Sequence, residues 1–441
     1  MTYEWHMHEP HPARLMVEDD YRRNRLTVFF RLLLAIPHFI WFGLWSIAVF
    51  VVAILNWVAT LIMGRPPQPF HRFLCAYVRY TVHLGAYLYL VGNPYPGFTG
   101  EAGEYPIDIV LPQDPQTQSR WRTLLRLILG LPALVIGSVL VGPFGLPAYF
   151  LFRNGGQGRS NGPRGGQWGG GLLVGICAVL GWFAALITGR MPSGLRDAGA
   201  YGIGYGGQVR AYTLLLTDRY PNSDPTAMLE SVPRPKKHPV HLVGEAHDLR
   251  RSRLTVFFRL PLFIPLYIWL YLWSWLAFLV GILNWFATLI MGRPPRPFHR
   301  FLSAYVRYQF HITAFVTVAA NPFPGFTGTA GSYPLDLALP AEPQRQNRWK
   351  TLFRIILAIP AWIISIGLGV ALYTAAFFTW FVALIRGSAP WGLRNLMAYS
   401  LRYLGQVNAY FWLLTDAYPH ASPLEGEEQP QQQELEYSPA A

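Results

Sequence analysis

Leu32-Leu-Leu-Ala-Ile-Pro-His-Phe-Ile-Trp-Phe-Gly-Leu-Trp-Ser-Ile-Ala-Val-Phe-Val-Val-Ala-Ile-Leu-Asn-Trp-Val-Ala-Thr-Leu-Ile-Met63 runs for 32 positions without a charged residue. One membrane span needs about 20 apolar residues. A tilted helix would use most of this run, and a tight hairpin would use all of it. Outward from it, the rest of the chain is equally poor in charge: 13% of the 441 residues are charged, against roughly 25% in ordinary globular domains. That deficit excludes a soluble enzyme with a normal surface. Lys and Arg total 36 against 23 Asp and Glu, a formal charge of +13. The arginines are dispersed at the flanks of apolar runs rather than gathered on a soluble basic face, which points to an anionic membrane and away from nucleic acid.

The same run is part of a repeat. Arg25-Leu-Thr-Val-Phe-Phe-Arg31 returns as Arg253-Leu-Thr-Val-Phe-Phe-Arg259, Met63-Gly-Arg-Pro-Pro67 as Met291-Gly-Arg-Pro-Pro295, and Pro96-Gly-Phe-Thr-Gly100 as Pro324-Gly-Phe-Thr-Gly328, all at an offset of 228. A weaker copy lies in each half at an offset of 95, Trp121-Arg-Thr-Leu-Leu-Arg126 and Trp349-Lys-Thr-Leu-Phe-Arg354. The chain therefore holds four units.

Each unit opens with a Pro-led alternating stretch that reads as a short strand: Pro12 to Val17, Pro106 to Leu111, Pro239 to Val243 and Pro334 to Leu339. An Arg follows (31, 126, 259, 354), then a Pro six residues on, an apolar run with a Trp (57, 182, 285, 380) and a Gly stop (64, 189, 292, 387). A helix with Tyr80, Tyr205, Tyr308 or Tyr403 comes next, and Pro96, Pro221, Pro324 or Pro419 ends the unit. The first half is 1–225, with units 11–100 and 101–225; the second is 239–420, with units 239–328 and 329–420. Between them 226–238 reads as a linker. Unit two carries a Gly-rich insertion over 153–171, and the Gln- and Glu-rich tail 421–441 is expected to be disordered.

The expected fold is an all-α membrane protein of four helical-hairpin units, with third or interfacial helices and short cytoplasmic strands paired into one sheet. Three features favour hairpins: the polar insertion of unit two, tolerable only at a water-exposed turn; Trp41, Trp45, Trp269, Trp273 and Trp275 at mid-run; and Arg22, Arg23, Arg25, Arg65 and Arg72 on both flanks of the first run. These imply about eight crossings of the cell membrane with the N-terminus cytoplasmic. The first twenty residues have no basic-then-apolar pattern, so no cleaved leader is expected.

The aromatic helix of unit one places Arg72, Arg79 and His83 on one stripe. Unit three repeats it as Arg300, Arg307 and His311, unit four has Arg402 and Gln406, and unit two keeps Gln208 with Gly204 in the Arg position. One reading is an interfacial helix with snorkelling Arg. The other is a polar seam, a pocket for an anionic lipid headgroup or a proton relay.

The strings Arg25-Leu-Thr-Val-Phe-Phe-Arg-Leu-Leu-Leu-Ala-Ile-Pro-His38, Leu61-Ile-Met-Gly-Arg-Pro66 and Ala211-Tyr-Thr-Leu-Leu-Leu-Thr-Asp-Arg-Tyr-Pro221 resemble the bacterial membrane-protein family called domain of unknown function 4389, in duplicate and over nearly the whole chain. The resemblance implies a multi-span bacterial inner-membrane protein and supplies no catalytic residue.

Other chemistry is thin. His6, His8, Glu9 and His11 suggest a soft metal less well than a flexible terminus with chance histidines. His71 and His299 read as interfacial, Asp218 and Asp416 as helix stops, and Asn56 and Asn284 as hydrogen-bonding across helices. Cys75 and Cys177 form no disulfide framework. No phosphate-binding Gly loop, nucleophile elbow or zinc-protease motif occurs. The expectation is a non-enzymatic protein without cofactor or metal. Its partners would be membrane lipids, which it binds or moves. The rival reading is a protein that shapes the membrane with wedge-like insertions.

Overall fold

The computed structural model describes residues 11–142, 172–229, 232–244 and 249–427. The strands β1 (Arg14–Val17), β2 (Ile107–Val110), β3 (His241–Gly244) and β4 (Leu335–Ala338) form where the Pro-led stretches stand. They do not gather into one sheet. β1 pairs antiparallel with β2, Arg14 opposite Val110, and β3 with β4, His241 opposite Ala338. Each pair buries its apolar side against the helices of its own half, Leu15 beside Gly204 and Leu337 beside Gly405, so neither pair seeks the other.

In unit two the apolar run is two helices, on either side of residues 143–171, while in units one, three and four it runs on as helix with no hairpin turn. In unit one the helices are α1 (Arg25–Leu34) and α2 (Ile36–Met63), and the α2 sequence continues straight through the stretch expected to hold a tip. α3 (Gln68–Leu88) is its aromatic helix. Unit two has α4 (Arg120–Leu124), α5 (Arg126–Leu140), α6 (Leu172–Thr188) and the aromatic α7 (Ser193–Thr213), followed by the short α8 (Pro225–Met228). Unit three has α9 (Arg253–Phe257), α10 (Arg259–Met291) and α11 (Arg296–Val316); unit four has α12 (Arg348–Leu352), α13 (Arg354–Arg386) and α14 (Trp391–Phe411). In units one, three and four the hairpin expectation failed because mid-run Trp and Gly43 are compatible with helix when nothing polar interrupts the run. The turn falls later, at Gly64, Gly189, Gly292 and Gly387, each left-handed at φ between 70° and 76° as a helix C-cap. Among the described residues three segments are long and apolar enough to cross a membrane, Arg25–Met63, Arg259–Met291 and Arg354–Arg386.

The four aromatic helices are the core. α7 is buried over nearly its whole length. Its glycines explain this: a Cβ on Gly202 would strike Val174, and one on Gly207 would lie 2.5 Å from Ile109. The long helices bury only one stripe each. On α2 this is His38, Phe42, Ser46, Val49, Asn56 and Thr60, while Ile40, Leu44, Ile47, Phe50, Val51, Ile54, Leu55 and Ile62 stay exposed.

Within a half the two units are related head to tail. Trp57 donates to the Thr123 carbonyl and Trp182 to that of Val28; Trp285 donates to Thr351 and Trp380 to Val256, at 2.8–3.1 Å. Two sets of arginines close the helix ends. Arg25, Arg120, Arg253 and Arg348 donate to the carbonyls of Ile187, Ile62, Ile385 and Ile290, in the last turn of the sister unit's apolar helix. The unit-marking Arg31, Arg126, Arg259 and Arg354 are buried; Arg31 and Arg259 cap their own unit's aromatic helix, whereas Arg126 donates to Gln118, Asp218 and the Thr217 carbonyl past the helix end, and Arg354 to Gln346 and Asp416. Arg31 donates to the carbonyls of Tyr87 (2.5 Å) and Gly92 (3.2 Å), and Arg259 to those of Phe315 and Ala320. Each of the four guanidinium groups stacks 4.1–4.5 Å above the ring of Tyr87, Tyr212, Phe315 or Tyr410.

The ends of the chain's segments also differ from expectation. The start of the linker is built into the core through Met228, and at the start of the tail Ala421, Ser422 and Leu424 are buried. The insertion 153–171, His6, His8, Glu9 and residues 428–441 lie outside the described residues.

Replacing Arg126 by Met is expected to cost about 3 kcal/mol, since it strands the buried Gln118 Oε1 and Thr217 carbonyl and the Asp218 carboxylate. Arg126→Lys would recover little because the planar fork is lost. Urea unfolding in detergent, followed by Trp fluorescence, measures both. Equal stability of the Lys variant and the parent would show that charge alone suffices.

Candidate functional site

The polar stripe of the aromatic helices is the only constellation the sequence singles out. Arg72 and Arg300 are exposed, Arg79 and Arg307 half-buried, and His83, His311, Arg402 and Gln406 buried. Its inner members turn toward the strands of their own half. His83 Nε2 lies 2.9 Å from Asp108 Oδ1, and His311 Nε2 lies 2.7 Å from Asp336 Oδ1. The same carboxylates accept from the backbone N–H groups of Gly103 and Gly331 and of Ile109 and Leu337, at 2.7–2.8 Å. Arg307 donates to the Leu337 carbonyl and lies 3.9 Å from Asp336.

Unit two and unit four hold Gln where units one and three hold His. Gln208 Nε2 donates to the Ala13 carbonyl, and Gln406 Nε2 to that of Val240, each just ahead of a strand. Their Oε1 atoms accept from the N–H of Asn222 and His420. The stripe therefore fastens strands to helices in all four units. Burial alone would raise the Asp108 and Asp336 carboxyls; the hydrogen bonds from the histidines and from Gly103 and Gly331 outweigh it and hold both below the usual carboxylate range.

Several sequence readings are corrected by position. His71 and His299 are buried rather than interfacial, His71 Nε2 lying 2.9 Å from the Pro112 carbonyl oxygen. Asp218 and Asp416 do more than stop a helix: Asp218 pairs with Arg122 and Arg126 at 3.1 Å, and Asp416 with Lys350 and Arg354 at 3.5 and 3.4 Å. Trp41 sits within helix α2 and donates to the Phe98 carbonyl, as Trp269 does to Phe326. Asn56 and Asn284 reach across to the Leu214 and Trp412 carbonyls at 3.2 and 3.3 Å. Cys75 and Cys177 are buried free thiols.

Some polar residues escaped sequence reasoning. Gln118 and Gln346 accept from Arg126 and Arg354 and donate to the Leu215 and Leu413 carbonyls. Their signal was their shared place ahead of the Trp-Arg/Lys-Thr string. Across the halves Asn395 Nδ2 donates to Asp224 Oδ2 at 2.6 Å, and Asp197 is hydrogen-bonded by Ser422. The signal there was a complementary exchange at equivalent positions, Asp197 against Asn395 and Asp224 against Ser422.

No cluster of three metal-ligating side chains occurs among the described residues. With this geometry in view, the family described as Domain of unknown function (DUF4389) matches the chain four times, at 25–99, 168–223, 253–327 and 348–422. The second match begins after the first part of unit two's apolar run, where the insertion divides it. No curated protein and no solved structure matches the chain.

Because the two carboxyls are depressed when folded, their stabilisation is complete above the unfolded value near 4 and is lost as pH falls below it. An Asp108→Asn, Asp336→Asn double variant is expected to lose about 2 kcal/mol at pH 7 and to show a flatter dependence of melting temperature on acid. Melts between pH 3 and 7 read both. An unaltered acid limb would remove the latch from the account.

Proposed function

The chain belongs to the DUF4389 family, whose domain it carries in four copies, and from that premise we propose that it is a non-enzymatic protein of the cell membrane that seats its apolar helices in the bilayer from one side and thereby organises or shapes it. The observation that carries this reading is a polar segment lying beside each of two long helices. Phe98 to Gln118 is fastened at both ends, by Trp41 Nε1 to the Phe98 carbonyl at 2.9 Å and by Gln118 N–H to the Gly64 carbonyl at 2.8 Å. Between those points α2 covers about 35 Å at 1.5 Å per residue. The segment beside it exposes Glu101, Glu104 and Asp114. Half two repeats the pattern from Phe326 to Gln346, with Glu342 and Arg345 exposed.

If α2 stood upright, the charged irregular parts of that stretch flanking β2, at Glu101, Glu104 and Asp114, would lie at bilayer depth, where each unpaired backbone group costs several kcal/mol. Lying along the membrane plane, the same helix presents its apolar face to hydrocarbon and leaves the polar segment in water. Arg25, Arg65 and Arg120, at the two ends of the first run, then meet headgroups on one surface. This reading replaces the eight crossings with in-plane insertion from the cytoplasmic side, which the positive flanks favour. Insertion into one leaflet enlarges it relative to the other, the basis of curvature sensitivity. Membrane lipids are partners as the solvent of the ridge, because the inner stripe groups that would otherwise form a headgroup pocket hold strands.

With Cys75 and Cys177 replaced by Ser, single cysteines at Arg25, Arg65, Glu101 and Glu342 are expected to react with an impermeant thiol reagent from the same side of oriented vesicles. Labelling of Arg25 and Arg65 from opposite sides would establish a spanning helix. Vesicle diameter is expected to fall as the protein-to-lipid ratio rises, and a constant diameter would remove the shaping role.

A further inference from the structure

At one position of the aromatic helices units one, three and four carry Arg (79, 307 and 402) and unit two carries Gly204. Positions 204 and 402 are equivalent in units two and four, and 228 and 426 are equivalent at the same spacing. In unit two these are Gly204 and Met228, and the Met228 sulfur stands 2.6 Å from where a Cβ on Gly204 would be, so the space is plugged. In unit four they are Arg402 and Gly426. The thioether plug is gone, a guanidinium stands in its stead, and Gly426 lets the chain pass against the Lys236 carbonyl.

What remains is a small cavity lined by Lys236, Lys237, His238, His241, Arg402 and His420, with Glu425 its one carboxylate among the described residues. Arg402 is 4% exposed. It donates to the Ser422 carbonyl, its Nε has no hydrogen-bond partner, and the nearest Glu425 oxygen is 4.0 Å away. Burial, with Arg402 and His238 adding repulsion, pushes the His420 imidazole down to about 4. Its Nδ1 accepts from the Ser422 N–H and its Nε2 lies 3.4 Å from Ser193 Oγ, whereas the Nε2 of His238 has no hydrogen-bond partner. The lining of this small space thus includes the buried Arg402 guanidinium and two further basic residues, Lys236 and Lys237. No lining residue comes from the long apolar helices, so the cavity opens away from the ridge.

We propose that this cavity binds a phosphate group, whose several oxygens suit a guanidinium fork flanked by ammonium and imidazole donors. The phosphate is either free or the terminal group of a lipid head. The full-length protein in neutral detergent is titrated with inorganic phosphate against chloride at equal ionic strength by calorimetry, and its bound lipids are read by native mass spectrometry. Saturable one-to-one phosphate binding is expected, weakened at least tenfold in Lys236→Gln, an exposed site that leaves folding intact, and in Arg402→Gln, but not in Arg72→Gln. If free phosphate gives no saturable heat while a lipid with a terminal phosphate co-purifies and is lost in the Lys236 and Arg402 variants, the headgroup is the occupant. Absence of both ligands from the parent protein, or binding that Lys236→Gln and Arg402→Gln leave unchanged, overturns the proposal.

Discussion

A helix that ends in an apolar setting leaves its last carbonyls without water, and this protein meets that constraint six times with arginine. Four guanidinium groups reach from the start of each unit to the end of the sister unit's apolar helix. Two more, Arg31 and Arg259, fold back onto the last carbonyls of the aromatic helix of their own unit. Both placements put positive charge at the negative end of a helix dipole. They also dictate the architecture. A unit whose arginine must meet the far end of its sister's helix packs against that sister head to tail.

From that reciprocity follows the layering. Long apolar helices need bury only a stripe, since their ends are closed from the side. The aromatic helices beneath them are covered on the other face by strands and polar segments. Tyr77 shows how one residue serves the contact: its hydroxyl lies 2.9 Å from Ser46 Oγ of α2, and its ring packs against Phe42 and Trp45. Tyr305 repeats this with Ser274 and Trp273. The apolar face and the polar face are thus properties of one stack, and the membrane reading rests on their being opposite.

Duplication also supplied places to diverge. Units one and three remain nearly alike, down to the Phe-His-Arg-Phe string and the His–Asp latch. Units two and four carry the differences: the glycine-rich α7, the Asp224–Asn395 contact between halves, and the exchange of Gly204 and Met228 for Arg402 and Gly426. Once two copies share the same scaffold, a single exchange of a plug for a charge converts packing into a cavity.

Much was legible from residues alone. The fourfold repeat, the four strands, the glycine stops and the recurring Arg, Pro and Trp follow from local chemistry repeated at fixed spacing. Gly64 must end a helix that has no other stop, and Pro12 leads a stretch that alternates. The environment of the repeated side chains was not legible. Arg31 and Arg126 look like flank charges in the sequence, and His83 and Arg307 like a lipid-facing stripe, because a one-dimensional period gives the face of a helix and not what lies against that face. The head-to-tail pairing of units, the split into two sheets and the polar segment beside α2 were decided by tertiary structure. Each rests on contacts between residues far apart in the chain, whose favourable energy exists only once orphan carbonyls, apolar stripes and strand edges are brought together.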